Sequence, residues 1–79
     1  MRLDKYLKVS QIIKRREVAK QCIENGFVLL NDKVAKASSP VNVNDVITIS
    51  FRDSTKKYRV LLVLEYATKE KAKLMYEEM

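Results

Sequence analysis

Lys14-Arg15-Arg16-Glu17-Val18-Ala19-Lys20-Gln21-Cys22-Ile23-Glu24-Asn25-Gly26-Phe27-Val28-Leu29-Leu30-Asn31-Asp32-Lys33-Val34-Ala35 changes its periodicity half-way along. In the first half Val18 pairs with Cys22 and Ala19 with Ile23 at i, i+4 spacing, and Asn25-Gly26 supplies a stop, which predicts a helix over about residues 14 to 25. After Gly26, Phe27 to Leu30 and Lys33 to Ala35 read as two short strands around an Asn31-Asp32 turn. Asn-Asp is a weaker hairpin signal than Asn-Gly. A helix running straight into an antiparallel hairpin indicates an α+β unit.

Upstream, Leu3, Tyr6 and Leu7 recur at i, i+3 and i+4, so residues 2 to 9 read as a short helix, with Arg2, Lys5 and Lys8 as a second stripe. Downstream, Ser38-Ser39-Pro40 reads as a loop and Val46 to Phe51 as an alternating, half-buried strand. Asp53-Ser54-Thr55 is the next expected turn, and Tyr58 to Leu64 is expected to form a last strand, central in the sheet. Thr68 is placed to cap a closing helix through about residue 78, with Ala72, Met75, Tyr76 and Met79 facing inward. The expected architecture is one domain over residues 1 to 79: two N-terminal helices packed on a small antiparallel sheet, with a C-terminal helix. Leu3, Leu7, Val18, Cys22, Ile23, Val28, Val46, Ile49 and Leu61 are the expected core.

A chain of 79 residues has no room for a second catalytic domain, and 47% hydrophobic content is that of a folded protein. With no His and one Cys, a Cys/His zinc site, a Ser-His-Asp triad, a Cys-His pair and an internal disulfide are all excluded. Gly26 is the only glycine, so no Gly-rich phosphate loop exists. No catalytic residue, cofactor or metal is expected. The longest apolar run, Val60 to Leu64, is far too short to span a bilayer, and the charged opening residues lack a secretory pattern. A cytosolic location is expected, with Cys22 an inert core thiol.

The formal charge of +6 is concentrated. Residues 1 to 20 carry Arg2, Lys5, Lys8, Lys14, Arg15, Arg16 and Lys20 against only Asp4 and Glu17, while the rest of the chain is nearly neutral. Such asymmetry implies a polyanionic partner met by one face. Lys14, Arg15 and Arg16 also crowd the start of the second helix, where unpaired N–H groups and the helix dipole favour anions. No side chain is placed to cap that end, and a docked phosphate would relieve both problems. Lys56, Lys57 and Arg59 form a smaller cluster that reads as a solvated hairpin.

Arg2-Leu3-Asp4-Lys5-Tyr6-Leu7, Arg16 three residues before Ala19, then Ile23, Gly26, Val28, Asn31, Lys36, Ser38 and Asp45-Val46-Ile47 form a pattern that resembles the S-four RNA-binding domain, also called the αL motif. The match covers about residues 1 to 50. Among its free-standing bacterial members, the chain looks most like the RqcP-type ribosome-associated quality-control factors and the small heat-shock ribosome-associated proteins. The resemblance implies a non-enzymatic factor that binds stalled large ribosomal subunits holding peptidyl-tRNA. Its implied contacts are large-subunit ribosomal RNA and tRNA, and its implied role is to support alanine tailing by RqcH. It also implies a cytoplasmic, ribosome-associated monomer with no membrane partner.

The expected RNA-binding residues are Arg2, Asp4, Lys5, Lys8, Lys14, Arg15, Arg16, Lys20 and Lys36. Arg2 and Arg16 lead because a guanidinium fork fits phosphate better than an ammonium does. Asp4 is expected to orient a neighbouring cation, to accept from a 2′-hydroxyl, or to stabilise the first helical turn. Lys5, Lys8, Arg15 and Lys20 supply salt-dependent, sequence-independent attraction. Tyr6 is expected in the core rather than stacked on a base. Asp32 and Asn44 stand where many family members have Gly, which is expected to weaken those turns, and Arg15 stands where a capping Ser or Thr is common. The residues alone also admit a general structured-RNA binder or a DNA binder, and the resemblance also admits a targeting module acting in trans for an RNA-modifying enzyme.

Overall fold

The apolar spacings at the N-terminus produce two short helices in the computed structural model, which describes residues 1–79. Leu3, Tyr6 and Leu7 of α1 (Leu3–Val9) are fully buried, as are Ala19 and Ile23 of α2 (Arg16–Glu24). The chain then forms β1 (Val28–Leu30), β2 (Lys33–Val34), β3 (Val46–Ser50), β4 (Thr55–Val60), α3 (Lys69–Ala72) and β5 (Tyr76–Glu78). All strand pairs are antiparallel, in the order β2-β1-β3-β4-β5. One core joins the helix faces to Val28, Ile47, Ile49, Tyr58, Val60 and Met75.

The turns depend on residues that tolerate left-handed backbone. Gly26 ends α2 with φ of 82°, and Asn31 and Asp32 take φ of 52° and 66° between the paired Leu30 and Lys33, the signature of a primed two-residue hairpin. Asn44 takes φ of 76°. Asn and Asp occupy this region at lower cost than other side-chain-bearing residues, so both turns form without glycine. Asn31 is further secured: its amide donates to Asp45 Oδ1 at 3.1 Å and its carbonyl accepts the Val46 N–H at 2.9 Å.

Several expectations need correction. Helix α2 begins at Arg16, with Arg15 at its N-cap position and Lys14 outside it, because the chain leaves α1 through a left-handed Gln11 and reaches helical geometry only after an extended Arg15. The expected strand over Tyr58 to Leu64 lies earlier, at Thr55–Val60, so Thr55 opens the strand rather than closing the turn. It is an interior strand, but β3 holds the middle of the sheet. Beyond Val60 the N–H groups of Leu61 and Leu62 both donate to the Met75 carbonyl, which turns the chain out of the ladder and leaves both side chains exposed.

The closing helix is also shorter than its apolar spacing implied. Thr68 does cap it, its hydroxyl accepting the Lys71 N–H at 3.2 Å, but α3 ends at Ala72. The last residues instead form β5 against β4, where Tyr76 meets Tyr58 edge-on at 5.3 Å. Without β5, β4 would present an unpaired sheet edge. Ala72 and Met75 are buried as expected, Tyr76 is half-buried, and Met79 is exposed. Of the expected core, Leu3, Leu7, Ile23, Val28 and Ile49 are buried, Cys22 and Val46 are half-buried, and Val18 and Leu61 are exposed. Val46 and Ile49 have opposite parity along one strand, so they cannot face the same side. The Ala19–Ile23 pair faces the core, which leaves Val18 turned toward solvent and Cys22 at the margin.

Tyr6 ties the two ends of the chain together. It is fully buried, and its hydroxyl donates to the Met75 carbonyl at 2.7 Å; burial pushes its phenol well above the ordinary range. The Met75 oxygen still accepts from Leu61 and Leu62 when that hydroxyl is removed, so Tyr6→Phe is expected to cost about 1 kcal/mol, at the low end for a buried hydrogen bond. Urea unfolding of both proteins measures this, with an unchanged m-value expected.

Candidate nucleic-acid interface

The two N-terminal helices begin in opposite ways. The first amides of α1 are all occupied: Leu3 N–H donates to Ser39 O at 2.9 Å, Asp4 N–H to Ala37 O at 3.2 Å, Lys5 N–H to Asp4 Oδ1 at 2.8 Å, and Tyr6 N–H to Arg2 O at 2.9 Å. Arg2 also bridges to Pro40, so the loop carrying Lys36 is fastened beside this end. The start of α2 has no such cover. Arg15 makes no side-chain cap, and the N–H groups of Arg16, Glu17 and Val18 have no backbone or side-chain acceptor. Three unpaired donors therefore point outward beside Arg15 and Arg16.

Asp4 connects the two helices. Only 2% exposed, it accepts Arg2 Nε on Oδ1 at 3.1 Å and Arg2 Nη2 on Oδ2 at 3.3 Å, and Arg16 Nε stands 3.4 Å from Oδ2. Burial pushes this carboxyl up, but the hydrogen bonds from Arg2 and the Lys5 N–H and the charge of Arg16 outweigh that and hold it below the usual aspartate range. One carboxylate thus positions two guanidiniums whose side chains remain half-exposed, at 51% and 48%. Of the three roles expected for Asp4, positioning cations and satisfying a first-turn amide are present. Its burial leaves no surface for a 2′-hydroxyl.

Next to this cluster, Lys5, Lys8, Lys14 and Arg16 line a cleft of about 610 Å³. Lys5 is paired with Glu65 across the cleft, and this contact and the Lys5 charge hold the Glu65 carboxyl below its ordinary range. Lys20, one turn along α2 from Arg16, lies outside the cleft and is paired with Glu24 at 4.0 Å. The second basic cluster is partly compensated: Lys56 reaches Glu78 at 3.8 Å and Arg59 reaches Glu77 at 3.3 Å across the β4–β5 pair, while Lys57 has no ion pair. The α1–α2 face carries the denser positive charge, with Lys8, Lys14 and Arg15 free of any ion pair.

Residues 1–47 match the S4 domain family. The chain belongs to the S4 domain family. An RQC P-site tRNA stabilizing factor from Streptococcus pneumoniae (strain ATCC BAA-255 / R6) is 47% identical, the match spanning 98% of this chain and 88% of the relative. A protein of the same name from Bacillus subtilis (strain 168) is 42% identical over 96% of this chain and 88% of its own. The trimeric structure of Vibrio cholerae Heat Shock Protein 15 superposes with a TM-score of 0.92 at 28% identity, covering 100% of this chain and 81% of that one. The α+β architecture with helices on an antiparallel sheet is thus shared with a solved structure.

The S4 match ends before the opposite wall of the cleft. Glu65, Tyr66, Ala67 and Lys69 complete that wall, and none was singled out from sequence as a binding residue. Lys69 is the first residue of α3. No local pattern marks these residues, because they meet α1 only through contacts between distant parts of the chain, Lys5 with Glu65 and with the Tyr66 ring. No helix of the protein is long and apolar enough to cross a membrane.

Proposed function

We propose that this S4 domain is a non-enzymatic RNA-binding factor of ribosome-associated quality control. It docks its α1–α2 face on a stalled large ribosomal subunit, contacts ribosomal RNA and the P-site tRNA, and supports C-terminal alanine tailing by RqcH. The observation that carries this reading is the Arg2–Asp4–Arg16 cluster beside the uncapped start of α2: two oriented guanidinium forks next to three unpaired amides, a donor set suited to backbone phosphates. The names of the relatives supply the ribosomal context. Arg15, Lys14, Lys8, Lys5, Lys20 and Lys36 add longer-range, salt-dependent attraction, and the factor acts as a cytoplasmic monomer.

Sedimentation of cell extracts tests the proposal. After translation is stalled, the protein should move into large-subunit fractions that contain peptidyl-tRNA, and raising salt should release it steeply. Its absence from those fractions, or its co-purification with an RNA-modifying enzyme instead, contradicts the assignment.

A further inference from the structure

We propose that the cleft between α1 and the Glu65–Lys69 segment is a nucleotide subsite, in which Tyr66 stacks on one unpaired RNA base while Lys8, Lys14, Arg16 and Lys69 hold the flanking phosphates. This rests on the RNA-binding reading above and extends it to a part of the chain outside the S4 match.

Tyr66 is the anomaly that motivates it. Of the four tyrosines, Tyr6 and Tyr58 are buried and Tyr76 is half-buried against the core, whereas Tyr66 is 88% exposed. It contributes nothing to packing, yet it is held at the edge of a basic cleft. Lys5 Nζ lies over its ring, 5.8 Å from the centroid, and the same ammonium is paired with the adjacent Glu65. This contact orients the ring, and the high exposure leaves ring surface free to meet a base. Lys8, Lys14 and Lys69 form no ion pair, and the only carboxylate lining the cleft is Glu65, already engaged by Lys5. An aromatic platform ringed by uncompensated cations is the arrangement that binds single-stranded nucleic acid, with the ring taking a base and the cations its phosphates. A base within a paired helix cannot reach the platform, so the subsite selects an unpaired nucleotide.

The test compares binding of the full chain to two labelled RNAs, a fully paired duplex and the same duplex with one bulged adenosine. The wild type is expected to favour the bulged RNA by about tenfold. Because the chain has no tryptophan, its emission is the sum of four tyrosines, and the bulged RNA should quench the Tyr66 share of it beyond the loss seen with the same amount of duplex. Tyr66→Ala, at a position too exposed to affect folding, should abolish the preference and the quenching while leaving duplex affinity unchanged. Tyr66→Phe should keep the preference. Equal wild-type affinity for the two RNAs, or a preference that survives in Tyr66→Ala, overturns the subsite and leaves the RNA-binding reading standing. Failure of the wild type to bind either RNA overturns both.

Discussion

Asp4→Ala is expected to weaken RNA binding by about tenfold although it removes a negative charge from a basic RNA-binding face. Counting charges leads to the opposite result, since the substitution adds one unit to a formal charge of +6. The difference lies in what Asp4 holds. It fixes Arg2 through two hydrogen bonds and Arg16 through an ion pair, and without it two like charges from different helices repel and their half-exposed side chains lose a defined orientation. Stability should fall as well, by about 2 kcal/mol, because the Lys5 amide loses its acceptor and the buried end of the cluster its anion. For a domain of this size that corresponds to a melting temperature lower by roughly 10 °C. The sign of the pH effect follows from the depressed carboxyl. Its contribution is complete above the ordinary aspartate value of 3.8 and is lost as pH falls through the lower folded value, so the wild type should lose its advantage over Asp4→Asn under strongly acidic conditions. Paired thermal melts at neutral pH and below pH 4 check both statements.

Arg16→Ala is expected to reduce RNA affinity by more than tenfold, and Arg2→Ala by a similar factor. Asp4 neutralises one of the two guanidiniums, so the cluster carries a surplus of a single positive charge, and losing either arginine removes it. The second loss in the double variant lowers the cluster's charge by one further unit, to −1, so charge alone makes the two effects additive and any departure from additivity measures the coupling of the arginines through Asp4. That variant also leaves Asp4 buried without a cation, which costs stability, so its folding must be checked by circular dichroism. Arg16→Lys separates charge from shape. It retains the charge but not the planar fork, and is expected to recover only part of the binding lost in Arg16→Ala. Fluorescence anisotropy at fixed salt reads all four proteins; full recovery in Arg16→Lys would show that orientation plays no part.

The N-terminal half of the fold was legible because its signals are local. Leu3, Tyr6 and Leu7 lie on one face of a single helix, and Gly26 marks where helical period gives way to strand period. The C-terminal half was not, because Ala72, Met75, Tyr76 and Met79 have helical spacing but their conformation is set by tertiary pairing. β4 needs a neighbour, Tyr76 packs against Tyr58, and Met79 N–H donates to Lys57 O at 2.8 Å, which together outweigh a weak helical preference. The candidate interface divides in the same way. Sequence placed the cations of α1 and α2 near one another and anticipated the uncapped helix start, since no side chain there could act as a cap. It did not reveal that Asp4 spans two helices, or that Glu65, Tyr66 and Lys69 return to close the cleft, because both are contacts between distant parts of the chain.

The most direct test of the central claim is to recover tagged protein under gentle lysis from cells with stalled translation and to sequence the RNA that accompanies it, in wild type and in Arg16→Ala. The account predicts large-subunit ribosomal RNA together with many tRNAs from the wild type, and loss of both from the variant. Enrichment of a single unrelated RNA, or undiminished recovery with Arg16→Ala, would contradict it.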